Sequence, residues 1–279
     1  MHAYIAGSVR LLAVPLLLAG VAAGIAPAAP AVAAPAKSVG TPTFVHNQLN
    51  GVAATSASNA WAVGCTHCFT SKGMALIEHW NGTGWQQVPS PAPAGSVLSG
   101  VAATSASSAW AVGCSNCNNF STRKTLILRW NGTGWKQVPS PGPAGSDLSG
   151  VAATSASSAW AVGSSTAGTS SKSLVLGWNG TAWKQVPSPS GFLSGVAATS
   201  AASAWAAGYT SRVKTLLVRW NGTAWKQVPS PSPSSGGLAD FLFGVAATSA
   251  SSAWAVGYSG SGIGPTKTLI LRWNGKTWN

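Results

Sequence analysis

The stretch that decides the fold is SGVAATSASSAWAVGCSNCNNFSTRKTLILRWNGTGWKQV, which covers residues 99–138. It contains four short segments of β-strand composition separated by turn signals, of which Asn131-Gly132 is the strongest hairpin signal. The four segments are 99–104, 109–113, 125–130 and 135–138. Proline follows the last segment, and proline belongs at the end or the edge of a sheet. The stretch therefore predicts a four-stranded antiparallel sheet.

This unit occurs five times in the chain. Leu-x-Gly-Val-Ala-Ala-Thr-Ser-Ala begins at Leu49, Leu98, Leu148, Leu193 and Leu242. Each copy carries three tryptophans, one in Ala-Trp-Ala, one before Asn-Gly, and one five residues later, which accounts for all 15. Four strands in a repeat of about 45 to 50 residues are typical of a propeller blade. We therefore predict an all-β fold, a five-bladed β-propeller of four-stranded antiparallel blades, over residues 49–279.

The repeat also resembles a known class of proteins. The runs GVAATSASSAWAVG, TLILRWNGTGW and KQVPSPGP resemble the repeats of secreted bacterial kelch-like, galactose-oxidase-type β-propeller proteins. The resemblance extends over residues 49–279 and implies the propeller fold. It implies no particular activity.

Residues 1–36 have the composition of a secretory signal peptide. A short start with one basic residue precedes the apolar run 11–25, and small Ala-Pro sequences suited to cleavage follow. The alternative is a retained anchor helix, but the run is shorter than the roughly 20 residues that span a membrane. The sequence predicts a secreted, extracellular protein that is free of the membrane after cleavage.

Residues 37–48 form an N-terminal segment of strand-like composition around Phe44–His46. The fifth copy reaches only Trp278-Asn279, before its fourth strand is complete. We predict that Phe44–His46 supplies the closing strand of blade five, because closure removes an exposed sheet edge. The alternative is that the chain is part of a longer propeller.

Acidic residues are rare, and this disfavours an enzyme. Only Glu78, Asp147 and Asp240 occur, each in a different copy, whereas glycoside hydrolysis generally needs two neighbouring carboxylates. No arrangement of serine, histidine and acid suggests a catalytic triad. We therefore predict no catalytic residues and no cofactor, and a metal-dependent enzyme is the least favoured alternative.

The four cysteines form two pairs of identical spacing, Cys65 with Cys68 and Cys114 with Cys117. In a secreted chain an even number of cysteines suggests disulfides, and recurrence at the same place in two copies favours one bridge within each pair. Bridges between blades and a four-cysteine zinc site remain alternatives.

The candidate binding residues recur with the repeat. The third tryptophan of a copy follows a hairpin turn and could stack on sugar rings, although packing in the core is the other interpretation. A lysine follows it in three copies and could contact a polyanion, although solubility alone could explain these charges. The candidates are Trp85, Trp135, Trp183 and Trp225 with Lys136, Lys184 and Lys226.

The net charge of +13 favours an anionic partner. Because secretion argues against nucleic acid, we predict a non-catalytic binding or scaffold propeller that contacts extracellular carbohydrate or an anionic cell-wall polymer. The alternative is a structural platform for protein interactions that binds no small ligand. The sequence does not indicate the oligomeric state.

Overall fold

The computed structural model describes residues 47–166, 172–234, 238–260 and 265–279. These residues form five antiparallel sheets, one for each copy of the repeat, which confirms the all-β prediction. We call the sheets blades one to five in chain order. The predicted signal peptide and the predicted closing strand Phe44–His46 lie outside the described residues.

The strands follow the repeat closely. Blade one contains β1 (Gln48–Ser56), β2 (Asn59–Thr66), β3 (Met74–Trp80) and β4 (Trp85–Gln87). Blade two contains β5 (Val97–Ser105), β6 (Ser108–Ser115), β7 (Lys124–Trp130) and β8 (Trp135–Val138). Blade three contains β9 (Ser146–Ser155), β10 (Ser158–Ser165), β11 (Lys172–Trp178) and β12 (Trp183–Gln185). Blade four contains β13 (Phe192–Ser200), β14 (Ser203–Tyr209), β15 (Thr215–Trp220) and β16 (Trp225–Val228).

Blade five departs from the predicted four strands. It contains β17 (Ala239–Ser249), β18 (Ser252–Gly260) and β19 (Thr266–Trp273). A fourth strand is only begun, because Trp278 forms a single bridge with Trp273 and Asn279 exchanges backbone hydrogen bonds with Arg272. The described part of the chain therefore has four four-stranded blades and one three-stranded blade.

In each blade, a hydrogen bond from the second tryptophan joins the Asn-Gly turn to the turn between the first two strands. In blade two the indole N–H of Trp130 donates to the Ala106 carbonyl in the β5–β6 turn, at 2.9 Å. The side-chain oxygen of Asn131 accepts hydrogen bonds from the backbone N–H groups of Thr133 and Gly134, and Gly132 adopts a φ of 97°. The same indole bond occurs in all five blades. These Asn-Gly-Thr sequences therefore serve as turns.

The first strands of successive blades approach each other at glycine. A Cβ on Gly100 would lie 3.2 Å from the Cα of Gly150 in the next blade, and the same approach joins Gly51 to Gly100 and Gly195 to Gly244. Larger residues at these positions would push neighbouring blades apart, which explains why the first strand is rich in residues with small side chains. Buried apolar clusters then fill the space between consecutive blades.

A glycine at the end of each Ala-Trp-Ala strand allows the first two strands to meet. A Cβ on Gly113 would overlap the carbonyl oxygen of Val97 on the adjacent strand. We expect Gly113→Ala to lower the free energy of unfolding by about 1 to 3 kcal/mol, because backbone must move to relieve the overlap. Chemical denaturation followed by tryptophan fluorescence measures the change.

Gly134→Ala is the matched control for this substitution. A Cβ on Gly134 would have no heavy atom within 4 Å, so its effect should stay within about 0.5 kcal/mol. Equal effects of the two substitutions would contradict the close approach of β5 and β6.

Candidate functional site

A surface cleft of about 460 Å³ lies between blades two and three. It lies at the end of the blades that carries the Asn-Gly turns. Its walls come from the β5–β6 turn, the end of β7 and the end of β9. Hydroxyl groups dominate the lining, together with one arginine, one tryptophan and one asparagine. The hydroxyl residues are Thr104, Ser105, Ser107, Ser108, Thr154 and Ser155, and the others are Arg129, Trp130, Asn131 and Ala156.

Among the described residues that line this cleft, Arg129 is the only one with a charged side chain. Its Cζ atom lies 5.1 Å from the ring centroid of Trp110 in its own blade and 5.2 Å from that of Trp178 in blade three. Two aromatic rings therefore orient the planar guanidinium by cation–π contacts. Among the described residues, no protein acceptor takes a hydrogen bond from it. The guanidinium of Arg129 therefore has N–H donors that no described protein group occupies.

Arg219 holds the corresponding position in blade four, and it has one protein acceptor, whereas its Nε is buried without a partner. It packs over Trp205 and Trp273, at 5.3 and 5.7 Å. Unlike Arg129, it donates a hydrogen bond from Nη2 to the Ala250 carbonyl of blade five, at 3.0 Å. The two positions share one sequence pattern, but their guanidinium groups differ in available donors.

The three carboxylates lie away from the cleft and away from each other. Asp147 forms an ion pair of 2.8 Å with Arg123, across blades two and three. Burial raises the pKa of Asp147, against the opposing effects of Arg123 and of a hydrogen bond from Ser164. With no carboxylate in its lining, the cleft presents an uncompensated positive charge.

Asp240 is held at the boundary of blades four and five. Its Oδ2 accepts hydrogen bonds from the Ser232 hydroxyl at 2.7 Å and from the Ser234 backbone N–H at 3.2 Å, and Lys214 lies 3.8 Å away. Burial acts to raise the pKa of Asp240, but these hydrogen bonds and that of Ser259 lower it below its ordinary value. Asp240 therefore fastens two blades together.

The remaining acid, Glu78, neighbours a histidine that points the other way. His79 stacks on Trp61 at 4.2 Å, and its Nε2 lies 2.8 Å from the Asn59 side-chain oxygen. Burial lowers the pKa of His79 and raises that of Glu78. Because successive residues of a strand face opposite sides, Glu78 and His79 do not act on one common atom.

The structure buries three of the four tryptophans proposed for sugar stacking. Trp135, Trp183 and Trp225 pack edge-on against the first tryptophan of the preceding blade, with centroids 5.0 to 5.1 Å apart. A buried ring face cannot receive a sugar, so for these three residues core packing is the correct interpretation. Trp85 differs, since 39% of it is exposed.

The three candidate lysines are exposed on the outer strands of separate blades. Lys136 and Lys226 lie opposite Arg129 and Arg219 in the strand register, whereas Lys184 lies opposite Gly177. None of the three lines the cleft. The structure therefore does not gather the predicted tryptophans and lysines into one site.

Sequence reasoning missed the cleft, although one signal for it was present. Arginine precedes Trp-Asn-Gly at Arg129, Arg219 and Arg272. Which of these arginines keeps free donors depends on the adjacent blade, and the repeat pattern alone does not contain that information.

The cysteines form the predicted local disulfides, Cys65–Cys68 and Cys114–Cys117. Each bridge joins the end of a blade's second strand to the loop that follows, in blades one and two, and the two bridges pack into one small cluster with Val97. Among the described residues, no group of three or more His, Cys, Asp and Glu side chains is placed to hold a metal ion. Because each disulfide joins two cysteines of one blade, the alternative of bridges between blades is wrong.

Comparison with known proteins identifies the fold. No protein-family model and no curated protein matches the chain. Among solved structures, the fucose-specific lectin from Aleuria aurantia is similar, with a TM-score of 0.54 and 13% identity over 84% of this chain and 77% of the lectin. SapL1 lectin in complex with α-methyl fucoside is similar with a TM-score of 0.57 and 13% identity, over 84% of this chain and 78% of that lectin.

A third similar structure is YCF48 bound to D1 peptide, with a TM-score of 0.50 and 14% identity over 84% of this chain and 68% of that chain. One structure of the Aleuria aurantia lectin is described as a six-bladed β-propeller. These similarities show a β-propeller repeat fold. The kelch-like, galactose-oxidase type stays a prediction. In the described part of the chain, no helix is long and apolar enough to span a membrane.

Each disulfide closes a small ring, so its effect on stability should be modest. In the chain-entropy description a loop of about four residues gives about 2 kcal/mol. We expect the double substitution Cys114→Ser and Cys117→Ser to lower the free energy of unfolding by about that amount while leaving the sheets intact. Chemical denaturation measures the free energy of unfolding, and circular dichroism measures the β-sheet content. Loss of the folded state would contradict this local role.

Proposed function

We propose that this protein is a secreted, non-catalytic carbohydrate-binding β-propeller of five blades, and that it binds sugar in the cleft between blades two and three. The observation that carries the proposal is Arg129. Its guanidinium is oriented by Trp110 and Trp178, has no protein acceptor among the described residues, and opens into a cleft rich in hydroxyl groups.

The chemistry of the lining suits a sugar. Serine and threonine hydroxyls both donate and accept hydrogen bonds, as sugar hydroxyls do, while arginine supplies several donors in a fixed plane. Trp130 adds an apolar surface beside them. Two of the similar structures are named as lectins, one fucose-specific and one in complex with α-methyl fucoside, and this supports carbohydrate binding in general.

The electrostatics favour an acidic sugar. The cleft contains one free cation and no carboxylate, and the whole chain carries a formal charge of +13. A sugar carboxylate could accept two parallel hydrogen bonds from the guanidinium, which are stronger than those between neutral groups. Extracellular acidic glycans and anionic cell-wall polymers carry such groups. The exposed lysines would add attraction at longer range.

A non-catalytic role fits the placement of the acids. Asp147 and Asp240 are engaged with cations and serines at blade boundaries, and Glu78 lies in blade one. General acid–base hydrolysis of a glycoside needs two carboxylates on either side of one bond. The cysteines, which a metal-dependent enzyme would need as ligands, are joined as disulfides.

Secretion is part of the proposal and rests on two observations. Residues 1–36 have signal-peptide composition, and disulfides persist mainly in oxidising compartments. The segment 37–48 retains the proposed role of completing blade five.

A protein-binding scaffold is the second candidate function. It is supported by the similarity to YCF48, whose structure is described as bound to D1 peptide. Under this alternative the exposed lysines and Trp85 would contact a protein, and the cleft would bind no sugar.

Removal of the free guanidinium tests the sugar site. We expect Arg129→Gln to weaken binding of an acidic oligosaccharide, with oligogalacturonate as the probe, by about tenfold or more, because it removes a charge-assisted pair of hydrogen bonds. Isothermal titration calorimetry at low and at high salt measures the affinity. Wild-type binding should weaken as salt rises.

Lys124→Gln is the matched control, since it removes one exposed positive charge from the far end of the strand that carries Arg129, outside the cleft. Its effect on affinity should be at most about twofold to fivefold, as for an exposed charge. Equal losses of affinity for both substitutions would indicate that a diffuse cationic surface, and not the cleft, binds the oligosaccharide. No binding of oligogalacturonate or α-methyl fucoside by the wild-type protein would favour the scaffold.

A further inference from the structure

The residue immediately before the second tryptophan differs from one blade boundary to the next. At the boundary of blades two and three it is Arg129, which carries the proposed sugar site. In blades one, three and four the corresponding residues are His79, Gly177 and Arg219. Among these residues, only the histidine has a side chain that ordinarily gains its charge just below neutral pH.

His79 shares the surroundings of Arg129 as well as its place in the repeat. In the strand register His79 lies opposite Trp61, as Arg129 lies opposite Trp110. The imidazole stacks on the Trp61 ring with centroids 4.2 Å apart, and Trp61 contacts Trp130 of blade two at 4.8 Å. An aromatic face therefore orients the imidazole at the boundary of blades one and two, as it orients the guanidinium one blade later.

Hydroxyl groups surround His79 as they surround Arg129. The threonine and serine residues of the cleft between blades two and three have counterparts one blade earlier in the repeat, and most of these counterparts are exposed. They are Thr55, Ser56 and Ser58 in blade one and Thr104 and Ser105 in blade two. The boundary of blades one and two therefore offers the same kinds of hydrogen-bonding groups, with an imidazole in place of the guanidinium.

A chain of two hydrogen bonds fixes the tautomer of neutral His79. The Asn59 amide nitrogen donates to the Thr55 hydroxyl at 2.6 Å, so the amide oxygen faces the imidazole. Nε2 of His79 lies 2.8 Å from this oxygen and therefore carries the proton that it donates. Nδ1 is then an acceptor, and no described residue supplies a hydrogen bond to it. Protonation of Nδ1 would create a charged donor without breaking the bond to Asn59.

The charge of His79 depends on few neighbouring groups. The strands β2, β4 and β5 pack against β3, and none of them carries a charged side chain, while Cys65 is held in a disulfide. Glu78 faces the other side of β3, and Arg129 on β7 lies over Trp178 of blade three. Burial lowers the pKa of His79 below its ordinary value of 6.5, so the ring is neutral at neutral pH.

We infer that the boundary of blades one and two is a second site for acidic sugar, and that it binds only when His79 is protonated. The protonated ring presents a positive charge and an N–H donor to a sugar carboxylate, beside serine and threonine hydroxyls. A bound carboxylate in turn favours the charged ring, so binding at weakly acidic pH takes up a proton. The choice of an acidic sugar rests on the proposed function, whereas the dependence on His79 does not.

Titration calorimetry of the Arg129→Gln variant with oligogalacturonate measures the second site by itself. We expect this variant to bind at least about tenfold more tightly at about pH 5 than at about pH 7.5, because only the protonated ring forms a charge-assisted hydrogen bond. Carboxyl groups ordinarily titrate near about 4, so the probe stays mostly ionised at both pH values.

Two further substitutions in the Arg129→Gln background assign the gain in affinity to one histidine. His79→Gln should abolish the gain, because glutamine can still donate to Asn59 but takes up no proton. His67→Asn is the matched control. It removes the exposed histidine of the same blade, at a φ of 47° that asparagine tolerates, and it should keep the gain.

A permanent charge at the same place provides the decisive measurement. In the Arg129→Gln background, His79→Arg should bind oligogalacturonate at about pH 7.5 at least about tenfold more tightly than the background does, because arginine stays charged. A variant that fails to fold cannot produce this gain. An affinity that does not change between the two pH values, or a gain that survives His79→Gln, overturns the inference.

The outcomes also separate this inference from the proposed function. Wild-type binding at about pH 7.5 that Arg129→Gln removes, with no gain at about pH 5, supports the cleft and overturns the second site. Binding that appears only at the acidic pH and requires His79 supports the second site and contradicts the proposed role of Arg129. Absence of binding at both pH values overturns both.

Discussion

The structure depends on one contact, in which the first tryptophan of a blade packs against two tryptophans of the next. In this arrangement one indole lies at a tilt to the second ring and edge-on to the third, with centroids about 5 Å apart. Such geometry suits the aromatic quadrupole, and each ring removes a large apolar area from water. The first strand is rich in small residues, so these rings supply much of the core between blades.

The other features of the repeat bring those rings into position. Glycine allows the inner strands to approach, and the Trp130 N–H bond to Ala106 holds the two turns of a blade together. The residue before the second tryptophan then decides what lies beside the rings. It is His79 stacked on Trp61 in blade one, Gly177 against Trp160 in blade three, and a free guanidinium at Arg129. The repeated blade structure therefore presents a different side chain beside the three rings at different boundaries.

The sequence was sufficient to predict the strands, because alternation, Asn-Gly turns and proline are local signals. In blade two the observed strands agree with the predicted segments within two residues at each end. The disulfides were also predictable from their repeated spacing. Core packing of Trp135 was one of two interpretations, but its partner Trp61 lies in another blade and could not be predicted. The free state of Arg129 could not be predicted either, because it depends on blade three. Relations between blades are tertiary, and local sequence does not encode them.

The most direct test compares one substitution at two equivalent positions of the repeat. Trp205 is buried against Trp273 and Trp278, whereas Trp254 lacks such a pair among the described residues. Measured by denaturation of dilute, monomeric protein, Trp205→Ala should lower the free energy of unfolding by about 3 to 5 kcal/mol and Trp254→Ala by less than about half as much. Equal losses would contradict the claim that the three-ring contact between blades holds this fold together.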